Sequence, residues 1–370
     1  MNRIAMLIPT LDQIGGAERQ VLLLAKELSQ RGWQITVIAL SGNGEVVAQE
    51  LEEAGVSFLS LRMRKAWVDP RGWLLYFAWA ARNRPEVLHS HLPHATFFAR
   101  CSRFLLPARV LIDTIHTSST GGAVRKLGYR LSHWLSTHVT CVSESVAAAV
   151  TNSKLAPREN LSILPNGIFV PNFTQSRNHR AGQSGSFRWI AVGRLAPVKD
   201  YPTLLRAFAV LPGQPTLEIL GSGPEEQNLR RLASELKIQP RVHFAGFQSD
   251  VNAFLANAHA FVLSSLWEGL PISVLEAAAA RLPVVATDAR GVRETVQSGK
   301  TGFIVPVGDI LALTHAMARV MSMSPGQRQA LGDRGRTLVE SRYSLSTVIV
   351  RWEDLYSSLL LAHPRPSRRG

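Results

Sequence analysis

Two glutamates, Glu268 and Glu276, stand with seven residues between them in Trp267-Glu268-Gly269-Leu270-Pro271-Ile272-Ser273-Val274-Leu275-Glu276. Pro271 suits a first helical turn, where its missing N–H would have no partner anyway. The spacing predicts Glu268 in the loop entering a helix and Glu276 on that helix's second turn. Backbone N–H groups at such a start, near Gly269 and Leu270, form an anion site. Apart from Glu276, the run 272–280 is uncharged. An isolated carboxylate on a buried helix must be paired or serve a ligand. A ribose diol fits, since a carboxylate accepts from both hydroxyls; a structural ion pair is the plain alternative. The stretch points to a ligand carrying both phosphate and hydroxyls.

Other loops could complete such a site. Gly193-Arg194-Leu195-Ala196-Pro197-Val198-Lys199-Asp200 offers two cations, Arg194 as a fork and Lys199 as a point charge, which suit a diphosphate. Solvated surface cations are the alternative. Asp200 has the type of a helix N-cap. Gly15-Gly16-Ala17-Glu18 and Gly221-Ser222-Gly223-Pro224 let backbone come close to a ligand, or are simple turns. His116, and with it His89 and His91, end apolar runs and are either site or core residues. There is no D-x-D, H-E-x-x-H, G-x-G-x-x-G or Walker A pattern. No metal is therefore expected, and Arg194, Lys199 and helix starts must neutralise the phosphates.

These loops need elements to hold them. Short apolar runs alternate with amphipathic segments: strands at Ile4–Ile8, Gln34–Leu40, Val56–Leu61, Val87–His89, Val110–Ile115 and Val139–Val142, with helices between. The alternation restarts with Trp189–Val192, Thr216–Leu220, Val242–Phe244, Ala260–Leu263, Val284–Ala286 and Phe303–Val305. This predicts an α/β protein of two doubly wound parallel sheets. The first domain is expected over 1–172, a polar linker at 173–186, the second domain over 187–344, a helix at 345–361 packing back on the first domain, and a flexible tail at 362–370. Ligands of such sheets bind beyond the carboxyl ends of the strands, so the cleft between the domains is the expected site.

The totals agree. A chain of 370 residues calls for two cores, and 46% hydrophobic with 18% charged residues is a globular balance. Lys+Arg 41 against Asp+Glu 27 gives +14, which suits phosphorylated substrates, an anionic membrane surface or nucleic acid. Cys101 and Cys141 read as buried thiols of a reducing compartment. Neither a secretory signal nor a membrane-spanning run is present, so a cytoplasmic protein is expected.

The loops together resemble the retaining glycosyltransferases of family 4, with the GT-B fold. Glu268 and Glu276 in EGLPISVLEA are joined, in order, by GGAE (15–18), CVSES (141–145), LPNG (164–167), VGRL…KD (192–200), GSGP (221–224) and GVRE…TGFIVP (291–306). The resemblance covers nearly the whole chain. It implies that Glu276 holds the nucleotide ribose and Glu268 the donor sugar. The Gly269 and Leu270 amides, beside Pro271, hold the diphosphate with Arg194, Lys199, Gly193 and Gly221. Gly15 and Gly16 lie beside the donor phosphates, and His116 near the transferred sugar. His116, Glu268, Arg194 and Lys199 are the expected catalytic group. One departure stands: Ile168-Phe169 follow Asn166-Gly167 where the family places an acid.

The implied reaction moves a hexose-type sugar from a nucleotide-sugar donor, UDP first and GDP second, without a cofactor. The acceptor is a saccharide or polyprenyl-linked saccharide of the cell surface. Basic and aromatic residues interleave at Arg62, Arg64, Lys65, Trp67, Arg71, Trp73, Trp79, Arg82, Arg84, Arg125, Lys126 and Arg130. Such a surface fits an anionic membrane, with the protein peripheral on its inner face. A nucleotide-sugar epimerase on the same frame is the alternative. Nucleic acid is not an expected partner, since no recognition motif accompanies the charge.

Overall fold

The computed structural model describes residues 2–12, 14–64, 68–105, 108–117, 121–171 and 186–364. The chain forms two compact units, Met1–Gly167 with Val348–Gly370, and Ile168–Thr347. The linker expected at 173–186 lies, apart from Ser186, outside the described residues, as do Lys65, Trp67 and the tail from 365 onward.

The first unit is built on strands β1 (Arg3–Thr10), β2 (Gln34–Ser41), β3 (Ser57–Ser60), β4 (Val87–His91), β5 (Val110–Ile115), β6 (His138–Cys141) and β7 (Leu161–Ile163). All neighbours pair in parallel, in the order β3-β2-β1-β4-β5-β6-β7. Every residue of β4 and β5 is buried, as strands covered on both faces must be. The edge strands β3 and β7 are half-exposed. β7 is the one strand absent from the sequence reading, because three half-exposed residues carry no period.

Two helices cover one face of this sheet. Gly16–Gln30 buries Val21, Leu22, Leu24, Ala25 and Leu28, the stripe its 3.6-residue repeat predicts. The last helix, Leu345–Ala362, adds Val348, Ile349, Trp352, Tyr356 and Leu360 to the same core. Its final carbonyls are capped by Arg109, which donates to Leu360 O at 2.7 Å and His363 O at 2.9 Å. On the other face, helix Pro70–Asn83 packs Trp73 on Phe98 with ring centroids 4.1 Å apart, and Trp79 within 6.2 Å of Tyr76. Trp73 and Trp79, expected at a membrane surface, are instead part of the packing on this core.

The second unit has β8 (Arg188–Val192), β9 (Thr216–Leu220), β10 (Val242–Gly246), β11 (Ala260–Leu263), β12 (Val284–Thr287) and β13 (Gly302–Val305). The order is β10-β9-β8-β11-β12-β13, again parallel. The Ile168 backbone pairs with Tyr343 and Leu345, its N–H donating to Tyr343 O at 2.8 Å. Ile168 is buried and Phe169 is 70% exposed, so the departure at this loop places apolar residues where the family has an acid.

One buried ion pair organises the first unit. Arg100 and Asp113 are 1% and 0% exposed and meet at 2.8 Å. Asp113 also accepts from Ser90 Oγ at 2.6 Å, and the guanidinium donates to Tyr129 O at 3.2 Å and Ser132 Oγ at 2.8 Å. Removing one partner of a buried pair strands the other charge, at a cost of about 3–5 kcal/mol. Arg100→Met is therefore expected to lower the urea midpoint of the first unit sharply. The double variant Arg100→Met/Asp113→Val should recover part of the loss, because it leaves no buried charge unpaired, though Ser90, Tyr129 O and Ser132 each lose a partner. A single variant as stable as wild type would show that the pair contributes no stability.

Candidate active site

In the second unit, strand order reverses between β8 and β11, the place where an open parallel sheet leaves a crevice. The loops leaving these two strands are joined. Leu266 N–H donates to Val198 O at 2.8 Å, and Ser264 Oγ to Lys199 O at 2.7 Å. The joining brings Lys199 and Glu268 together: Nζ lies 2.6 Å from Oε1. Ser265 Oγ donates to the same oxygen at 2.6 Å, and Thr287 Oγ1 holds Ser265 O at 2.6 Å. Neither donor reaches Oε2 of Glu268, which is left for a further donor. The side chains of Lys199 and Glu268 are 18% and 13% exposed, so the pair is shielded yet reachable.

Neighbouring loops press on this pair. Gly221 has φ +135°, and a Cβ there would stand 2.1 Å from Gly193 O. Only glycine allows the loop after β9 to lie against the loop after β8. Gly291 does the same for the loop bearing Glu268, since its Cβ would meet Gly269 O at 2.2 Å. Tyr201 supports Gly193 from below, donating its hydroxyl to Gly193 O at 3.0 Å. Burial, and next the charge of Glu268, raise the pKa of that phenol, keeping it a donor. Asp200 caps helix Tyr201–Ala209, as its type predicts. Arg194 is exposed and forms no ion pair among the described residues.

Pro271 is the N-cap of helix Ile272–Ala279, one residue ahead of the expected first turn. Its carbonyl accepts from Val274 N–H at 3.0 Å. Glu276 lies in the second turn, on the less buried side with Ile272 and Ser273, while Val274, Leu275 and Ala277 are buried. Gly269 and Leu270 are buried just before the helix. Ser265, Thr287 and Tyr201 were not among the expected residues. Ser265 ends the apolar run of β11 and could have been flagged there; the other two declare themselves only through contacts distant in sequence.

In the first unit the strand order reverses between β1 and β4. After β1, the helix start at Gly15 and Gly16 is occupied by protein: Gly15 N–H donates to Glu18 Oε2 at 3.1 Å. Burial raises the pKa of that carboxyl, more than the backbone bonds at Glu18 and Gly15 lower it. A phosphate at the same place would meet this carboxyl group.

After β4 and β5 the structure groups three histidines. His89 is fully buried and bonds to Tyr356 OH at 2.7 Å and Thr114 Oγ1 at 2.6 Å, so it serves the core. His91 Nδ1 and His116 Nε2 are 3.0 Å apart. Burial lowers the pKa of His116 to about 4 and that of His91 well below its usual value, so both rings are neutral. One ring then donates to the other. The outer nitrogens, His91 Nε2 and His116 Nδ1, have no hydrogen-bond partner among the described residues. Whichever ring donates, one outer nitrogen carries a proton and the other does not. The pair thus presents one donor and one acceptor, the complement of a hydroxyl. Leu92, next to His91, is held at φ +69° and ψ 153°, a strained conformation for leucine that sets the direction of the strand end. Among the described residues no group of three His, Cys, Asp or Glu side chains is arranged to hold a metal ion.

Most of the chain is similar to known proteins. Residues 14–170 match the family model described as Glycosyltransferase Family 4, and residues 173–338 the model described as Glycosyl transferases group 1. The lipopolysaccharide core biosynthesis glycosyltransferase LpsE of Rhizobium meliloti is 27% identical over 95% of this chain and 97% of its own length. The UDP-Gal:alpha-D-GlcNAc-diphosphoundecaprenol alpha-1,3-galactosyltransferase of Escherichia coli is 22% identical over 68% of this chain and 70% of its own. HepE of Anabaena, solved in complex with UDP and glucose, shares the fold with a TM-score of 0.82 at 19% identity, over 97% of this chain and all of its own.

The histidine cluster makes stability depend on pH. Burial is the main cause that lowers His89 to about 3 and His116 to about 4, and nearby His116 lowers His89 further. Unfolded histidine takes up its proton near pH 6.5, at roughly 1.4 kcal/mol per pH unit for each site. Depressed folded values mean that stability present at neutral pH is lost as the pH falls below about 6.5. The urea midpoint should decline from there towards about pH 4. His89→Gln should remove about one proton from that dependence; an unchanged slope would show that His89 does not titrate on unfolding.

Proposed function

The chain belongs to the family 4 glycosyltransferases, and from that premise we propose that it transfers a hexose-type sugar, with retention, from UDP-sugar to a saccharide or lipid-linked saccharide acceptor of the cell surface. The observation that carries this reading is the Lys199–Glu268–Ser265 group at the strand reversal of the second unit. It places a shielded cation and an oriented carboxylate side by side, as a sugar joined to a diphosphate requires. The printed activity of the Escherichia coli relative and the UDP and glucose in HepE support the donor class. The name of LpsE supports a role in surface saccharide synthesis.

In this proposal the nucleotide lies beyond the ends of β8 and β11. Glu276 accepts from the ribose hydroxyls. The diphosphate lies over the first N–H groups of helix Ile272–Ala279, which have no intrahelical acceptor. Arg194 closes on it from solvent and Lys199 from beneath. Glu268 Oε2 accepts from a hydroxyl of the sugar. The Gly15 N–H is already bonded to Glu18, so it is not offered to a phosphate.

The bond that breaks joins the anomeric carbon to a phosphate oxygen. The sugar develops positive charge and the leaving diphosphate gains negative charge. Arg194, Lys199 and the helix start stabilise the latter, the larger change. The acceptor hydroxyl attacks from the face the diphosphate leaves, and its proton passes to a leaving phosphate oxygen. This route needs neither a protein nucleophile nor a metal. His116 lies against the transferred sugar, and its neutral ring offers a hydrogen bond without a competing charge.

Thermal-shift measurements with a panel of nucleotide sugars test the donor, and UDP-hexoses should stabilise the protein most. Glu276→Ala should remove most of that shift. Arg194→Ala should keep it and lower kcat, by on the order of 2–4 kcal/mol in transition-state stabilisation, about 30- to 1,000-fold. Wild-type kinetics and shifts in both variants would end this assignment.

A further inference from the structure

The first unit carries an apolar stripe turned outward. Helix Ala123–Ser132 exposes Val124 by 86%, Leu127 by 54% and Leu131 by 68%, at positions one helical face apart. The stripe continues into Trp134, 64% exposed, and meets Phe104 and Leu105, each exposed by about two thirds. The rings of Trp134 and Phe104 stand edge to face, 6.0 Å apart. The Trp134 N–H is satisfied by Leu131 O at 3.0 Å, so its ring can leave water without stranding a donor.

The opposite face of the same helix explains why the stripe cannot turn inward. Tyr129 is buried, with the Arg100 guanidinium 5.1 Å from its ring centre and Phe97 at 5.0 Å. The Tyr129 carbonyl and the Ser132 hydroxyl are bound by the same guanidinium. The orientation is fixed from inside, and the apolar side chains are left in water. Several large apolar groups side by side on a surface mark an interaction site.

Charge identifies the partner. From Val87 to Ser143 the sequence holds a single carboxylate, Asp113, and it is buried against Arg100. Arg125 and Arg130 flank the stripe in exposed positions, with Lys126 and Arg103 partly exposed beside them. Apolar side chains with an indole, flanked by cations in a stretch whose single carboxylate is buried, match a lipid bilayer with anionic headgroups: the apolar groups enter the headgroup boundary and the cations stay above it. A protein partner is the other occupant, and the oligomeric state read in the test below separates it from lipid.

We propose that the face formed by Val124, Leu127, Leu131, Trp134, Phe104 and Leu105 seats the protein on an anionic lipid bilayer. This face deepens the acceptor reading above by giving a lipid-linked acceptor a surface to be met on. The test reads binding without any substrate, so its failure would leave the transfer reaction standing.

The full chain is sedimented with vesicles of phosphatidylcholine alone and of phosphatidylcholine with phosphatidylglycerol, at low and high salt. Binding is expected to the anionic vesicles, and to weaken at high salt as the cations are screened. Leu127→Ser/Leu131→Ser should weaken it by at least about tenfold through lost apolar burial. Arg125→Glu/Arg130→Glu should weaken it by at least about tenfold through charge. Both variants should keep the thermal midpoint and donor-induced shift of the wild type, since all four side chains are exposed. Three outcomes overturn the proposal: no wild-type binding to anionic vesicles at low salt, variants that bind as wild type, or a wild-type dimer in sedimentation that these substitutions dissociate, which would make the face a protein interface.

Discussion

Parallel strands all end at the same edge of their sheet, and where the strand order reverses the loops at that edge part company. That constraint places the chemistry of this protein. In the second unit the reversal lies between β8 and β11, and those two strands lead to Lys199 and Glu268. In the first unit it lies between β1 and β4, which lead to Gly15 and His91. The residues that matter are far apart in sequence because each comes from a different strand. Within the second unit, Lys199 and Glu268 meet because crossover helices return their strands in the same direction.

In the proposed reaction the Lys199–Glu268 contact answers an electrostatic conflict. A carboxylate that binds a sugar beside a diphosphate would repel it, since both are anions. A cation between them turns that repulsion into two attractions. Lys199 is held for that position by its own carbonyl, which accepts from Ser264 Oγ, and Glu268 by Ser265. In the proposed reaction the arrangement would also couple the two ends of a donor. A phosphate that draws Lys199 towards itself loosens one of the two bonds on Oε1 of Glu268, and so changes how firmly that carboxylate meets the sugar. Such coupling is reciprocal: whatever the sugar does to Glu268 is felt at the phosphate.

Much of this was legible from residue types alone. Among the described residues, twelve of the thirteen strands follow from apolar runs, because fully covered parallel strands are nearly continuous in hydrophobic residues. Glu276 was placed on its helix turn by the spacing from Pro271, and Asp200 as a cap by its type. What could not be read was contact. Nothing in the sequence says that Lys199 reaches Glu268, that Glu18 folds back on Gly15, or that His91 bonds to His116, because each depends on how separate loops are set by the sheet. Trp73 and Trp79 show the same limit from the other side. A helix rich in both arginine and aromatics reads as a surface, yet its aromatic face is used on Phe98 and Tyr76. The exposed stripe lies instead on a helix, Ala-Val-Arg-Lys-Leu-Gly-Tyr-Arg-Leu-Ser, whose Val124, Leu127 and Leu131 recur at helical spacing and by that pattern read as the buried side.

That side is decided by Arg100. Its guanidinium is committed to Asp113 within the sheet and to Tyr129 and Ser132 at the end of the helix. A buried pair of this kind adds little net stability compared with apolar packing, so its value lies in what it specifies. Here it specifies an orientation: with Tyr129 drawn inward, Val124, Leu127 and Leu131 must point out. It also removes the one carboxylate of this stretch from the surface. Asp113 lies on β5, the strand that ends just before His116. The same pair therefore ties the outward helix to the strand that leads to His116, so the proposed lipid-binding face and the proposed sugar-binding side chain share one support.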